Sequence, residues 1–463
     1  MRQLFGRTVI YTDEEKITSE NLISVLTKAV SVHQTNSSDI QYLYDYYKGK
    51  TPILGKTKEI RENINHKVWV NRAKEIVDFK LGYCFGEPIQ YIRRGEEENL
   101  TADIATLNDH MYLADKATAD KELAEWMMIA GVGYRMTMPT DTLSIYTLDP
   151  RNTFVIRYSG LGHPVVASVT YVEKEDLGRI YSVYTDTQYF ETDMLNVTVQ
   201  PIHLGGNPIV EYRADNAMLG AFEVVLPLLD AINEIESNRL DDIVQFVNSF
   251  LAVIGAELDE ETVKNINEWK MMALPEGTDA KYLAASMKQS DIQTLVDDLY
   301  QTILTICGLP NRNGGSSTSD TGAAVQLRDG WEAAEANAKS IETMFKRSEK
   351  QFLKVALKIL HANAKLDLKV EHIEAKFARR HTDNILTKVQ AMVQLLDAGI
   401  SPEIAIATAG IWNDPTDVAI QSKKYLAKWE IDDVSENRSD FEDSESGPST
   451  DIQPVQGTDE YAG

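Results

Sequence analysis

The sequence predicts an α+β protein that is mainly helical, on three observations. Segments 220–251 and 323–363 hold apolar residues at helical spacing over unusual lengths. Between residues 131 and 212, short β-branched and aromatic runs alternate with turn residues. Residues 251–284 mix both patterns in a compact insert.

Taken in order, residues 19–47 read as a helix with a tyrosine-rich end (Tyr42, Tyr44, Tyr46, Tyr47), stopped by Gly49 and Pro52. A second helix is expected over 67–81, where Val68, Ala73, Ile76, Val77 and Leu81 share a face. Gly82, Gly86 and Pro88 should break it, and Ile89 to Ile92 should be extended. Residues 103–129 read as one more helix. The region from Gly131 to Tyr212 should be antiparallel, with about six short strands. Its turns are marked by Asp149-Pro150, Ser159-Gly160, Gly162 and Gly205-Gly206-Asn207-Pro208.

The long period of 220–251 runs through Phe222, Leu226, Leu229, Ile232, Ile235, Leu240, Ile243, Val247 and Leu251, with Pro227 near its start. Such a helix would be about 48 Å long and needs packing neighbours. The insert reads as strand 251–254, helix 259–270, strand 271–274, a turn at Pro275 and Gly277, and strand 281–284. Asp259, Glu260 and Glu261 fill the first turn of its helix, where the dipole favours anions. A helix over 291–307 ends at Gly308-Leu309-Pro310. Residues 311–322, NRNGGSSTSDTG, have the composition of a flexible loop. The second long helix, 323–363, carries Trp331, Ala334, Ala338, Ile341, Phe345, Phe352, Ala356 and Ile359 on its stripe. A strand over 366–377 and helices over 384–397, 402–408 and 415–429 follow. The last 33 residues hold ten acidic groups and one arginine, so a disordered tail is expected there.

Composition narrows the function. At 463 residues, 43% hydrophobic and 25% charged, the chain is an ordinary folded protein of several parts. Its formal charge of −25 argues against gripping nucleic acid over the whole outer surface. No tight complex with short duplex DNA is expected at physiological salt unless a local basic surface exists. Two cysteines, Cys84 and Cys307, give no disulfide framework and suit a reducing compartment. The first 20 residues do not read as a signal peptide, and no run is apolar enough to span a bilayer. A protein assembled in a cytoplasm, without a membrane partner, is expected.

Catalytic patterns are weak. Gly49-Lys50-Thr51 and Gly55-Lys56-Thr57 resemble the end of a phosphate-binding loop, but the first glycine of that loop is misplaced for both. They read as a solvated turn. The histidines, His33, His66, His110, His163, His203, His361, His372 and His381, show no metal-ligand spacing. Asp241-Asp242 and Asp297-Asp298 sit on helices and read as solvated faces. Tyr42, Tyr46 and Trp69 are placed to stack on bases or to pack against a partner, and acidic neighbours favour packing. No enzyme activity, cofactor or metal is expected.

Two stretches carry a resemblance. In residues 65–91, Asn65, Asn71, Ala73, Ile76, Val77, Asp78, Tyr83, Gly86, Pro88 and Ile89 fit one family pattern. In 205–233, Gly-Asn-Pro-Ile-Val-Glu-Tyr followed by Leu-Leu-Asp-Ala fits a strand leading into a long helix. With the order of parts over about residues 40–430, the chain resembles the portal proteins of tailed double-stranded DNA phages, of the long-tailed type. The loop departs from the family form, with Thr321-Gly322-Ala323-Ala324 the nearest match.

The resemblance implies an elongated subunit with a β-rich wing, long stem helices and a small α/β clip, assembling as a dodecameric ring at one capsid vertex. It assigns 1–219 and 323–381 to the wing, 220–250 and 291–308 to the stem, 251–290 to the clip, 309–322 to a tunnel loop, 382–430 to a crown and 431–463 to the acidic tail. It implies DNA-facing residues Asn311, Arg312, Asn313, Gly314, Gly315, Ser316, Ser317, Thr318 and Ser319. It also implies a clip face of Asp259, Glu260, Glu261, Glu268, Trp269 and Lys270 toward the packaging motor and adaptor. The implied partners are further copies of the chain, double-stranded DNA in the channel, the terminase large subunit, a head-completion adaptor, and scaffolding and major capsid proteins. A long amphipathic helix with no partner in its own chain would suit a closing ring interface. The competing expectations are an acidic structural or scaffolding protein without a channel and a nucleotide-driven enzyme of DNA processing.

Overall fold

The computed structural model describes residues 4–59, 63–94, 100–175, 178–247, 250–254, 279–283, 289–311, 330–379, 385–412 and 415–426. The chain divides into two units, Met1–Thr382 and Asp383–Gly463.

The first unit opens with β1 (Ile10–Thr12) and α1 (Leu22–Tyr47). Asn71 links α1 to α2 (Arg72–Phe85): its side chain donates to the Tyr47 carbonyl and caps α2 by accepting from the Lys74 amide. The expected helix over 67–81 therefore starts later, and it runs through Gly82 to the cap at Gly86. Residues 66–70 before it are extended for a reason given below. Strand β2 (Gln90–Arg93) follows. The single helix expected over 103–129 is two, α3 (Thr101–Leu113) and α4 (Lys116–Ala130), broken where Asp115 takes φ +49°.

Gly131 turns α4 into the sheets at φ +77°; a Cβ there would lie 2.0 Å from the Met218 carbonyl oxygen, so only glycine fits. Eight strands then occupy the region expected to hold about six: β3 (Val132–Met138), β4 (Ser144–Leu148), β5 (Thr153–Tyr158), β6 (Val165–Lys174), β7 (Gly178–Tyr184), β8 (Gln188–Thr192), β9 (Val197–Pro201) and β10 (Ile209–Arg213). They form a three-stranded sheet, β10-β3-β4, and a six-stranded one, β1-β5-β6-β7-β8-β9. All pairs are antiparallel except β1 with β5, which sets Ile10 beside Ile156. Three residues of β1 carry too short a period to be seen in the sequence.

The first long helix, α5, spans Leu226–Val247 after a 3₁₀ turn, Glu223–Val225, and is shorter than the expected 220–251. The buried Glu223 carboxylate shortens it, accepting from the Gly6 and Gly220 amides and pairing with Arg7 at 2.7 Å. Strands β11 (Phe250–Ile254) and β12 (Asp279–Leu283) pair antiparallel. Next come α6 (Gln289–Cys307) and α7 (Trp331–Ala364). The strand expected over 366–377 is only β13 (Ile373–Lys376), paired with β2, after a 3₁₀ turn at Val370–His372. The insert residues 255–278 and the tail from 427 lie outside the described residues.

The main core joins α2, α4, α5, α6 and α7 through residues such as Val77, Leu123, Phe222, Leu229, Ile303, Phe345 and Phe352. A second core packs α1 on the six-stranded sheet through Leu26, Phe154, Val169 and Phe190. Helix α5 thus has partners within its own chain, contrary to the expectation that it lacks them: Leu226, Leu229 and Ile232 are buried, and α6 lies against it. Tyr46 is buried and donates to Asp230 at 2.9 Å, and Tyr44 packs on Trp126, so these tyrosines serve the fold itself.

The second unit contains α8 (Ile385–Asp397), α9 (Pro402–Ala409) and α10 (Pro415–Leu426). Ala405, Ile406 and Ala409 are buried within it. No helix among the described residues is long and apolar enough to cross a membrane.

Candidate functional site

The sequence directs attention to the segment between α6 and α7. Of its predicted DNA-facing residues, Asn311 is described; Arg312, Asn313, Gly314, Gly315, Ser316, Ser317, Thr318 and Ser319 lie outside the described residues. So do the predicted clip residues Asp259, Glu260, Glu261, Glu268, Trp269 and Lys270. The structure describes the two roots of segment 312–329, and both rest on α2.

At the first root, the Tyr300 hydroxyl donates to Glu75 at 2.8 Å, and the Arg72 guanidinium lies 4.0 Å from the Tyr300 ring centroid. Leu309 is buried, and Arg72, Phe79, Leu304, Pro310 and Asn311 line a cavity of about 590 Å³. At the second root, Trp331 packs on Phe79 and Tyr83 with centroids about 6 Å apart. Tyr83 donates to Glu335 at 2.9 Å, and Arg379 pairs with Glu335 at 2.6 Å and also with Glu342. Lys80, buried, donates to Asn337 at 2.9 Å. Burial pushes the Lys80 ammonium down from its usual range. Burial likewise pushes the Cys84 and Cys307 thiols up to about 11, which keeps them protonated and unreactive at neutral pH.

Helix α5 is held by a strap. Asn233, Ser237 and Asp241 stand four residues apart on it, forming one polar line that is fully buried. Residues 66–70 run past that line extended. The Val70 amide donates to Asn233 at 2.7 Å, the Val68 amide to Ser237 at 2.9 Å and the His66 amide to Asp241 at 2.8 Å. Alternate residues of an extended chain repeat at about 6.8 Å and helix positions four apart at about 6.0 Å, so the two periods match over this distance. Pairing every second residue with α5 holds the strap extended and so keeps it out of α2.

Asp241 also receives Lys58 at 2.5 Å, Lys56 at 3.4 Å and the His66 ring at 2.7 Å. Burial pushes its carboxyl up, but the bonds from Lys58 and His66 prevail and hold it well below the usual carboxylate range. Two expectations are corrected. Asp241 is buried in an ionic cluster and does not belong to a solvated face, although Asp242 beside it is exposed. The Gly55-Lys56-Thr57 turn docks on α5 through Lys56.

Helix α7 is held by a hub. The Glu349 carboxylate is buried and accepts from Tyr91 at 2.5 Å, Tyr212 at 2.7 Å, Lys116 at 2.9 Å and Arg135 at 3.1 Å. Asp120 completes it, pairing with Lys116 at 2.6 Å and with Arg135. Two cations and two carboxylates cancel, which makes burial tolerable. Burial pushes the Glu349 carboxyl up, but Lys116 and Arg135 outweigh it and hold it low. The hub ties β2, α4, β3 and β10 to the middle of α7.

Sequence reasoning missed the strap and the hub. The strap leaves a sign, Asn-Ser-Asp at four-residue spacing inside an apolar helix; the hub draws one residue each from β2, β3, β10 and α7 and two, Lys116 and Asp120, from α4, too scattered to leave one. Among the described residues, no group of three or more His, Cys, Asp or Glu is arranged to hold a metal.

Residues 28–433 match the family described as phage portal protein, SPP1 Gp6-like. No curated protein matches the sequence. Among solved structures, the neck of an empty GTA particle computed with C6 symmetry is similar at 13% identity and TM-score 0.47, covering 73% of this chain and 90% of that one. The neck of a native GTA particle computed with C12 symmetry is similar at 14% identity and TM-score 0.44, covering 73% and 89%. With the match spanning most of its length, from within α1 to beyond α10, the chain belongs to the SPP1 Gp6-like family of phage portal proteins.

Proposed function

We propose that this portal protein assembles with copies of itself into a dodecameric ring at one capsid vertex, where it forms the channel for DNA packaging and ejection. The observation that carries this reading is the mounting of both roots of segment 312–329 on α2, through Glu75–Tyr300 and Tyr83–Glu335. A segment that opens on a run of small polar residues and is fixed at both ends to one rigid helix is suited to repeat identically in every subunit. In a ring, twelve such copies would surround the DNA, with Asn311, Arg312 and the Gly-Ser run touching phosphates without reading sequence.

The remaining assignments extend the same reading. Residues 220–250 and 291–308 act as stem, and 1–219 with 323–381 as wing. Residues 251–290 act as clip, offering Asp259, Glu260, Glu261, Glu268, Trp269 and Lys270 to the terminase large subunit and later to the head-completion adaptor. Residues 382–430 act as crown, and scaffolding and major capsid proteins surround the ring. Assembly takes place in the host cytoplasm, and the role is structural, with no catalysis of its own.

Electron micrographs of the purified protein test the reading. Rings with a central hole are expected. Particles without a hole would favour an acidic scaffolding protein instead.

A further inference from the structure

The acid surplus of this chain hides a local reversal on α7. Its N-terminal part carries Glu332, Glu335 and Glu342 along with Lys339 and Lys346, whereas Arg347, Lys350, Lys354, Lys358, His361 and Lys365 follow at spacings of three and four. At 3.6 residues per turn those six fall within an arc of about 80° and extend about 27 Å along the helix. All six are exposed, and among the described residues none is in an ion pair. Favourable interaction with the helix dipole accounts for cations only in the last turn, so it explains His361 and Lys365 and leaves the other four.

A cavity of about 490 Å³ between α7 and the sheets widens the same surface, with Arg347 and Lys354 on its wall. Arg157 and Arg213 also line it, both pairing with Glu211, at 2.5 and 2.6 Å. Each keeps one buried nitrogen, Arg157 Nε and Arg213 Nη2, with no acceptor among the described residues. Asp186 and the arginine-paired Glu211 in this cavity, and Asp367 beside Lys358, are acidic groups near the stripe.

We propose that the C-terminal half of α7 is a binding face for the backbone of duplex DNA. A line of cations one turn apart over about 27 Å matches about eight base pairs of phosphates. Lysine is depleted at protein–protein interfaces, so a stripe that is two-thirds lysine favours a polyanion over a second subunit. The face is separate from residues 309–322, so the inference does not need the channel reading. It offers the local basic surface that the expectation of weak duplex binding made an exception for.

The test is anisotropy of a labelled 30-bp duplex of mixed sequence with full-length protein, titrated between about 50 and 200 mM salt. Wild type should bind with a steep salt slope. K350Q/K354Q/K358Q should bind about tenfold more weakly at the lowest salt, with a log–log slope shallower by about two to three. K28Q/K121Q/K174Q, which changes net charge equally at exposed sites elsewhere, should bind as wild type. Equal loss in both variants, no wild-type binding, or a stripe variant altered only in oligomeric state would overturn the proposal. Should the stripe variant fail to fold, lysine acetylation of wild type decides: DNA should protect Lys350, Lys354 and Lys358, and unprotected lysines would refute it.

Discussion

Glu349 and Asp241 are both carboxylates buried on long helices, and they are neutralised in different ways. All the ionic and hydroxyl partners of Glu349 are themselves sealed; the side chains of Lys116 and Arg135 are 3% and 0% exposed. The partners of Asp241 reach in from the surface, with Lys56, Lys58 and His66 side chains 16%, 26% and 38% exposed. A sealed hub fixes α7 against four elements and tolerates no loss. A half-open clasp lets water compensate when one partner goes.

The comparison breaks most easily at the hub. Glu349→Ala would leave Lys116 and Arg135 buried with only Asp120 between them. A cost of about 3–5 kcal/mol is expected, read as a melting temperature lower by at least several degrees. A variant that melts within a degree of wild type would mean the hub is not sealed.

Acid sharpens the contrast. Both carboxyls are held low, so each cluster keeps its full contribution above the ordinary carboxylate range and loses it as the pH falls through and below that range. His33 belongs to neither cluster. It is buried against Phe154, bonds the Arg151 carbonyl at 3.0 Å, and burial pushes it down to about 4. The unfolded chain then binds the proton more readily than the folded one. Its contribution, about 3 kcal/mol, is complete above pH ~6.5 and lost as pH falls toward ~4. In His33→Gln the dependence of melting temperature on pH over that range should flatten; an unchanged slope would place the sensitivity elsewhere.

At the clasp, Asp241→Asn should cost about 1–3 kcal/mol, because the amide can still accept from the His66 backbone while Lys56 and Lys58 turn to solvent. A loss equal to that of Glu349→Ala would erase the distinction. The smallest effect is expected from deleting residues 432–463. That sequence has too little apolar area to offset chain entropy, so melting should hardly change. A drop of several degrees would show that the tail contributes to the fold.

What the sequence reveals follows from period. The long helices, the strand-rich middle and the three C-terminal helices repeat often enough to read directly. The break at Asp115, the three-residue β1 and the 3₁₀ turn at Val370–His372 do not, since each depends on contacts made by distant residues. Glu223 illustrates this: it ends the helical path before Leu226 only because Arg7 and Gly6 arrive from the N-terminus. The site divides the same way. Composition singles out 311–322, but the roles of Glu75, Lys80 and Tyr83 as its mounts are set by α2 meeting α6 and α7.

Segment 312–329 gives the most direct test. Gly314→Pro with Gly315→Pro stiffens the segment between its two roots and touches neither. Rings of this variant should look normal in micrographs but package DNA more slowly or lose it after packaging. Rings that package and retain DNA at the wild-type rate would contradict the account and reduce the segment to a connector between two helices.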